Sequence, residues 1–139
     1  MDKKTLLCCP EGKTGSIVIS NDATIIDGYA FSGCSSLTDI KILSSITCIE
    51  YNAFSDCSSL KSIELPNSVK SIEEYAFSAC SNLSSIKIPN SVKSIGHMAF
   101  LDCSGLVSVE LPDSVTSIGD TAFCGCTSLT SVTIPDSVR

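Results

Sequence analysis

Apolar positions along this chain recur with one long period. The five phenylalanines, Phe31, Phe54, Phe77, Phe100 and Phe123, are spaced 23 residues apart, and an alanine precedes each of them. Three residues after each ring comes a cysteine (Cys34, Cys57, Cys80, Cys103, Cys126), and three residues later a leucine (Leu37, Leu60, Leu83, Leu106, Leu129). Isoleucines at 26, 49, 72, 95 and 118 lie five residues before each phenylalanine. Columns this regular, without insertion, describe a solenoid of stacked coils.

Inside one period the pattern changes character. In Leu60-Lys61-Ser62-Ile63-Glu64-Leu65-Pro66, apolar and polar residues alternate, which predicts a strand with one buried face. Pro66 lacks the N–H that a ladder needs and ends it. Pro66-Asn67-Ser68 and its equivalents at Pro89, Pro112 and Pro135 carry turn chemistry. Val69 and Ile72 then return to the core on a short second strand. Glu73-Glu74-Tyr75-Ala76-Phe77 has better helical propensity and predicts a helical turn carrying the Ala-Phe pair inward. One coil directs about six apolar side chains inward, which only stacking on neighbours buries. The expected architecture is therefore five to six 23-residue coils. A parallel sheet forms one face, and short second strands and helical turns form the other. Residues 1–16 are expected to cap the first coil, with repeats over 17–139 and no C-terminal cap.

Composition narrows the function. With 9 basic and 15 acidic residues the net charge is −6, so no basic stripe exists to neutralise nucleic-acid phosphates. No apolar run reaches the roughly 18 residues of a membrane span. Met1 to Pro10 holds only a four-residue apolar run, too short for an export signal. Together with a ladder of closely spaced thiols, this predicts a cytoplasmic, reducing location, with the cell surface as the alternative.

The nine cysteines lack the spacing and histidine partners of a zinc site, and the Cys34-to-Cys126 column is expected to pack as small buried thiols. Cys48 stands in a column otherwise held by Ser71, Ser94 and Ser117 and is read as a surface substitution. His97, the single histidine, occupies a solvent-facing column, so no nucleophile–base pair is expected. No cofactor and no catalytic residue are assigned.

What remains is surface. The outward strand column is Val18, Lys41, Glu64, Lys87, Glu110 and Thr133, and its companion is Ser16, Asp39, Ser62, Ser85, Ser108 and Ser131. The alternating charges read either as a ladder that fixes coil register or as a polar binding face. The candidate partner-binding residues are Lys41, Glu64, Lys87, Glu110, Thr133, Asp39, Ser62, Ser85, Ser108 and Ser131. A last coil without a cap would expose Val132, Ile134 and Val138 as a docking edge. On another side, Asp27, Glu50, Glu73, Glu74 and Asp120 form an acidic ridge near Tyr29, Tyr51 and Tyr75.

The repeat unit resembles a known family. Pro112-Asp113-Ser114-Val115, Ala122-Phe123, Gly125-Cys126 and Ser128-Leu129-Thr130-Ser131-Val132 follow the BspA-like (Treponema pallidum-type) leucine-rich repeat, and Leu6-Leu7-Cys8-Cys9-Pro10 resembles the start of such arrays. The resemblance covers Leu6 to Arg139 and implies a leucine-rich-repeat solenoid. It also implies a role among surface antigens and adhesins that bind proteins. The resulting expectation is a non-catalytic module binding a protein partner through its strand face. The alternatives are a structural subunit docking or self-associating by its C-terminal edge, and a surface antigen.

Overall fold

The computed structural model describes residues 5–6, 14–19, 22–43 and 45–139. The chain winds through eleven strands: β1 (Thr5–Leu6), β2 (Gly15–Ile19), β3 (Ile25–Ile26), β4 (Leu37–Ile42), β5 (Cys48–Ile49), β6 (Ser62–Glu64), β7 (Ser71–Ile72), β8 (Ser85–Lys87), β9 (Ser94–Ile95), β10 (Ser108–Glu110) and β11 (Ser117–Ile118). All described pairings are parallel, and they join positions 23 residues apart in adjacent coils, except for β1–β3, which is offset by 20, and for Gly15–Leu37, where the register of β2–β4 shifts.

Two ladders run along the solenoid. The two-residue strands make the longer one, a six-stranded sheet in the order β1-β3-β5-β7-β9-β11. The alternating segments, expected to form the principal sheet, divide into β2-β4-β6 and β8-β10, with no strand pairing between β6 and β8. Positions 131–133 of the last coil lie in no ladder. Of the expected cap, residues 1–4 and 7–13 lie outside the described residues. Thr5–Leu6 pairs with Ile25–Ile26 and adds the first strand of the long sheet.

The expected helical turns are replaced by a third hydrogen-bonded side. Around the first phenylalanine, Ala30, Ser32 and Cys34 N–H groups close turns onto the carbonyls of Asp27, Tyr29 and Phe31. The alternate amides of Tyr29, Phe31 and Gly33 donate instead to Tyr51, Ala53 and Ser55 of the next coil. Helix cannot propagate because left-handed residues bracket each Ala-Phe pair. Tyr29, Asn52, Tyr75, Met98 and Thr121 have positive φ (52–62°), as do Gly33, Asp56, Ala79, Asp102 and Gly125 four residues on. The left-handed conformation recurs singly but does not continue as a helix. Propensity in Glu73–Phe77 yields to coil-to-coil bonding.

The core follows the columns. Phe31, Phe54, Phe77 and Phe100 are fully buried, with the isoleucine and leucine columns around them. Ring centroids are 5.2–5.3 Å apart from Phe31 through Phe123, and adjacent planes lie within 8° of parallel. Such offset stacking gives packing energy beyond area burial.

The cysteine column has a second role that spacing did not reveal. Cys57, Cys80, Cys103 and Cys126 donate their thiol hydrogens to the carbonyls of Phe31, Phe54, Phe77 and Phe100, at 3.0–3.1 Å. Each thiol thus ties one coil to the preceding phenylalanine turn. The neighbouring sulfurs of Cys103 and Cys57, together with burial, hold Cys80 well above the ordinary thiol range.

Candidate functional site

The outer face of β2, β4, β6, β8 and β10 is built by strand alternation. Ile40, Ile63, Ile86 and Val109 point into the core, so the residues on either side point out. Lys41, Glu64, Lys87, Glu110 and Thr133 are exposed, as are Ser62, Ser85, Ser108 and Ser131, while Asp39 is half-exposed. Parallel register sets Lys41 beside Glu64 and Lys87 beside Glu110. Lys41 Nζ lies 3.4 Å from Glu64 Oε2.

Asp39 is the organised point of this face. Its carboxylate accepts hydrogen bonds from Ser62 Oγ (2.6 Å), Thr38 Oγ1 (2.9 Å) and Ser16 Oγ (3.4 Å). The Ser62 and Thr38 hydroxyls are the main cause of an acidity below the usual carboxylate value; slight desolvation opposes them, and the Lys61 charge assists. Three hydroxyls from three consecutive segments therefore hold one anion, fixed in orientation, on the surface. Its signal in the sequence is a lone acid in a column of serines. A shallow hollow of about 280 Å³ surrounds it, between Val18, Asp39, Lys41 and Glu64. A second hollow, about 320 Å³, lies at the gap between β6 and β8, bounded by Glu64, Asn67, Lys87 and Pro89.

The C-terminal candidates separate. Ile134 is 51% exposed, whereas Val132 and Val138 are half-buried and Val138 packs against the core. Cys48 departs from the expected surface substitution. It is half-buried, accepts a hydrogen bond from Ser71 Oγ at 3.3 Å, and lies 3.5 and 3.9 Å from carboxylate oxygens of Glu50 and Glu73. Burial first, then these two negative charges, push its thiol up to about 11 against the opposing Ser71 bond. His97 is half-buried and meets the Tyr75 ring edge-on at 6.0 Å. Among the described residues no group of three or more His, Cys, Asp and Glu side chains is arranged to hold a metal ion, and no helix is long and apolar enough to cross a membrane.

This architecture has clear relatives. A leucine-rich repeat protein of T. pallidum is 38% identical over 89% of this chain and 60% of its own, with a TM-score of 0.86. A leucine-rich cell surface protein from Faecalibacterium prausnitzii A2-165 is 31% identical over 91% of this chain and 34% of its own, with a TM-score of 0.83. The chain therefore spans less than two thirds of either protein's length. The pneumococcal vaccine antigen PcpA, 24% identical with a TM-score of 0.76 over 99% of this chain and 38% of its own, shares the fold. A comparison with curated proteins finds no match. The BspA type leucine-rich repeat region matches residues 8–126 and 97–139, in six copies. With the 23-residue coils, the stacked phenylalanines and these matches in hand, the chain belongs to the BspA-type leucine-rich repeat family.

Proposed function

We propose that this chain is a non-catalytic protein-binding module whose partner docks on the outer face of β2, β4, β6, β8 and β10. The observation that carries this reading is Asp39, a surface carboxylate oriented by Ser62, Thr38 and Ser16. Oriented acceptors lose little entropy when a partner's donors arrive. Around it, small serines let a partner backbone approach, and Lys41, Lys87, Glu64 and Glu110 supply both signs of charge for specificity. The reading places the module at a cell surface rather than in the cytoplasm, because one relative is a cell surface protein and another a vaccine antigen.

The test is photo-crosslinking on source cells with a benzophenone side chain at Ser85. The expected result is one dominant adduct, lost when Asp39→Ala and Ser62→Arg are introduced together and kept when Glu74→Gln is introduced. An adduct indifferent to the first pair overturns the strand-face reading. Antibody labelling of intact cells tests location, and labelling only after permeabilisation overturns the surface placement.

A further inference from the structure

A second surface, away from the strand face, carries exposed aromatic rings. Tyr29 is 58% and Tyr51 is 49% exposed, and their rings meet edge-to-face with centroids 5.4 Å apart. The fold fixes this pair. Tyr29 N–H donates to the Tyr51 carbonyl at 3.2 Å. The Tyr51 ring rests on Gly28, where a Cβ would come within 2.8 Å of Cζ, so the missing side chain makes the seat. Two exposed rings held in a set pose are what protein interfaces use as anchors, since little freedom remains to be lost on binding.

The surroundings decide the partner's sign. Three equivalent stretches, 27–29, 50–52 and 73–75, hold Asp27, Glu50, Glu73 and Glu74 with Tyr29, Tyr51 and Tyr75, and no lysine or arginine. None of these four carboxylates has an ion pair among the described residues. In the next two coils the same stretches read Gly96-His97-Met98 and Gly119-Asp120-Thr121, so the patch has a boundary. Aromatic faces and carboxylates both attract cations and repel anions. A guanidinium or ammonium gains from the ring quadrupole and from the negative rim together.

We propose that this patch is a docking site for a basic segment of a partner protein, its arginine or lysine heads seated on Tyr29 and Tyr51 within the carboxylate rim. This site is separate from the strand face and stands whether or not that face binds.

The test is titration of the full chain with a fluorescein-labelled alternating Arg-Gly peptide at low salt. The Asp-Gly counterpart serves as control. The basic peptide is expected to bind and the acidic one not. Tyr29→Ala with Tyr51→Ala leaves the net charge unchanged and is expected to weaken binding about fivefold. Tyr29→Phe with Tyr51→Phe keeps the ring faces and retains it. Glu50→Gln with Glu73→Gln weakens binding, whereas Asp113→Asn with Asp136→Asn, which removes the same charge from exposed positions outside both faces, leaves it near wild type. If the alanine pair fails to fold, the phenylalanine pair and the two charge variants carry the decision. Absence of binding, an alanine pair that folds and binds like wild type, or equal weakening by both charge variants overturns the proposal. The last result would mean general attraction to an acidic protein.

Discussion

The phenylalanine side and the strand side of this solenoid solve the same stacking problem differently. On the phenylalanine side every coil repeats the last: the amides of Phe31, Phe54, Phe77 and Phe100 reach the next coil's alanine carbonyl at 2.7–2.8 Å, the rings stack at 5.2–5.3 Å, and thiols reinforce the turns. On the strand side the ladder is interrupted between β6 and β8, and outward residues change from coil to coil. Coil register is therefore held by the buried columns and their backbone bonds. The strand face is released from that duty and free to vary, which is what a recognition surface needs.

Removing one ring is the most direct challenge to this division. Phe77 is stacked on both sides, by Phe54 and Phe100. Phe77→Ala is expected to cost about 3–5 kcal/mol, enough to abolish cooperative unfolding of so short an array in a thermal melt followed by circular dichroism. Lys87→Ala, exposed on the strand side, is expected to stay within about 0.5 kcal/mol of wild type. Similar melts for the two variants would show that the ring column does not carry the stack.

The thiols sharpen the same contrast more gently. Cys80 is buried and donates to the Phe54 carbonyl at 3.1 Å. That carbonyl also accepts the Cys57 amide at 3.4 Å, so Cys80→Ala does not orphan it. The expected cost, from lost volume and one weak bond, is about 1–2 kcal/mol by chemical denaturation. The left-handed positions give a gain instead. Ala79 has φ 59°, while Gly33 and Gly125 occupy the same position in their coils. Ala79→Gly relieves a strain of about 1 kcal/mol, less the chain entropy glycine brings to the unfolded state, and is expected to raise the melting temperature slightly. A drop would mean that the alanine methyl packs better than its backbone suffers.

Cys48 gives a prediction in pH. Its thiol is raised to about 11 by burial and by Glu50 and Glu73, so the thiolate that reacts with alkylating agents is scarce at pH 8. A raised folded value favours the neutral form. The associated stability is full below the unfolded thiol value near 9 and is lost as pH climbs toward 11. Peptide mapping after brief iodoacetamide treatment at pH 8 is expected to find Cys124, which is exposed, labelled well before Cys48. Equal labelling would remove the carboxylate-lined environment assigned to Cys48.

Periodicity made the coils legible because burial repeats with them: the recurring apolar columns mark the core, and alternation in Ser62-Ile63-Glu64 marks which residues face out. Two things escaped it. A helical turn at Glu73–Phe77 looked favourable because propensity is local, whereas the left-handed φ of Tyr75 and Ala79 is imposed by bonds to the next coil. The Asp39 cluster escaped because Ser16 and Ser62 are one coil away on either side, and their hydroxyls meet a carboxylate only after stacking. Cys48 likewise read as a serine substitute until Glu73, from the following coil, was placed against it.

The smallest expected effect lies in the charge row itself. Lys41 and Glu64 are 3.4 Å apart, yet their side chains are 55% and 71% exposed. Water and salt screen such a pair, and ordering two long side chains opposes it. A double-mutant cycle with Lys41→Ala and Glu64→Ala is expected to return a coupling of about 0.2–1 kcal/mol, shrinking as salt is added. A coupling of several kcal/mol, insensitive to salt, would make the charge row a structural ladder after all. It would then transfer to the strand side the register-setting work assigned here to the phenylalanines, and weaken the case that the face is free to recognise a partner.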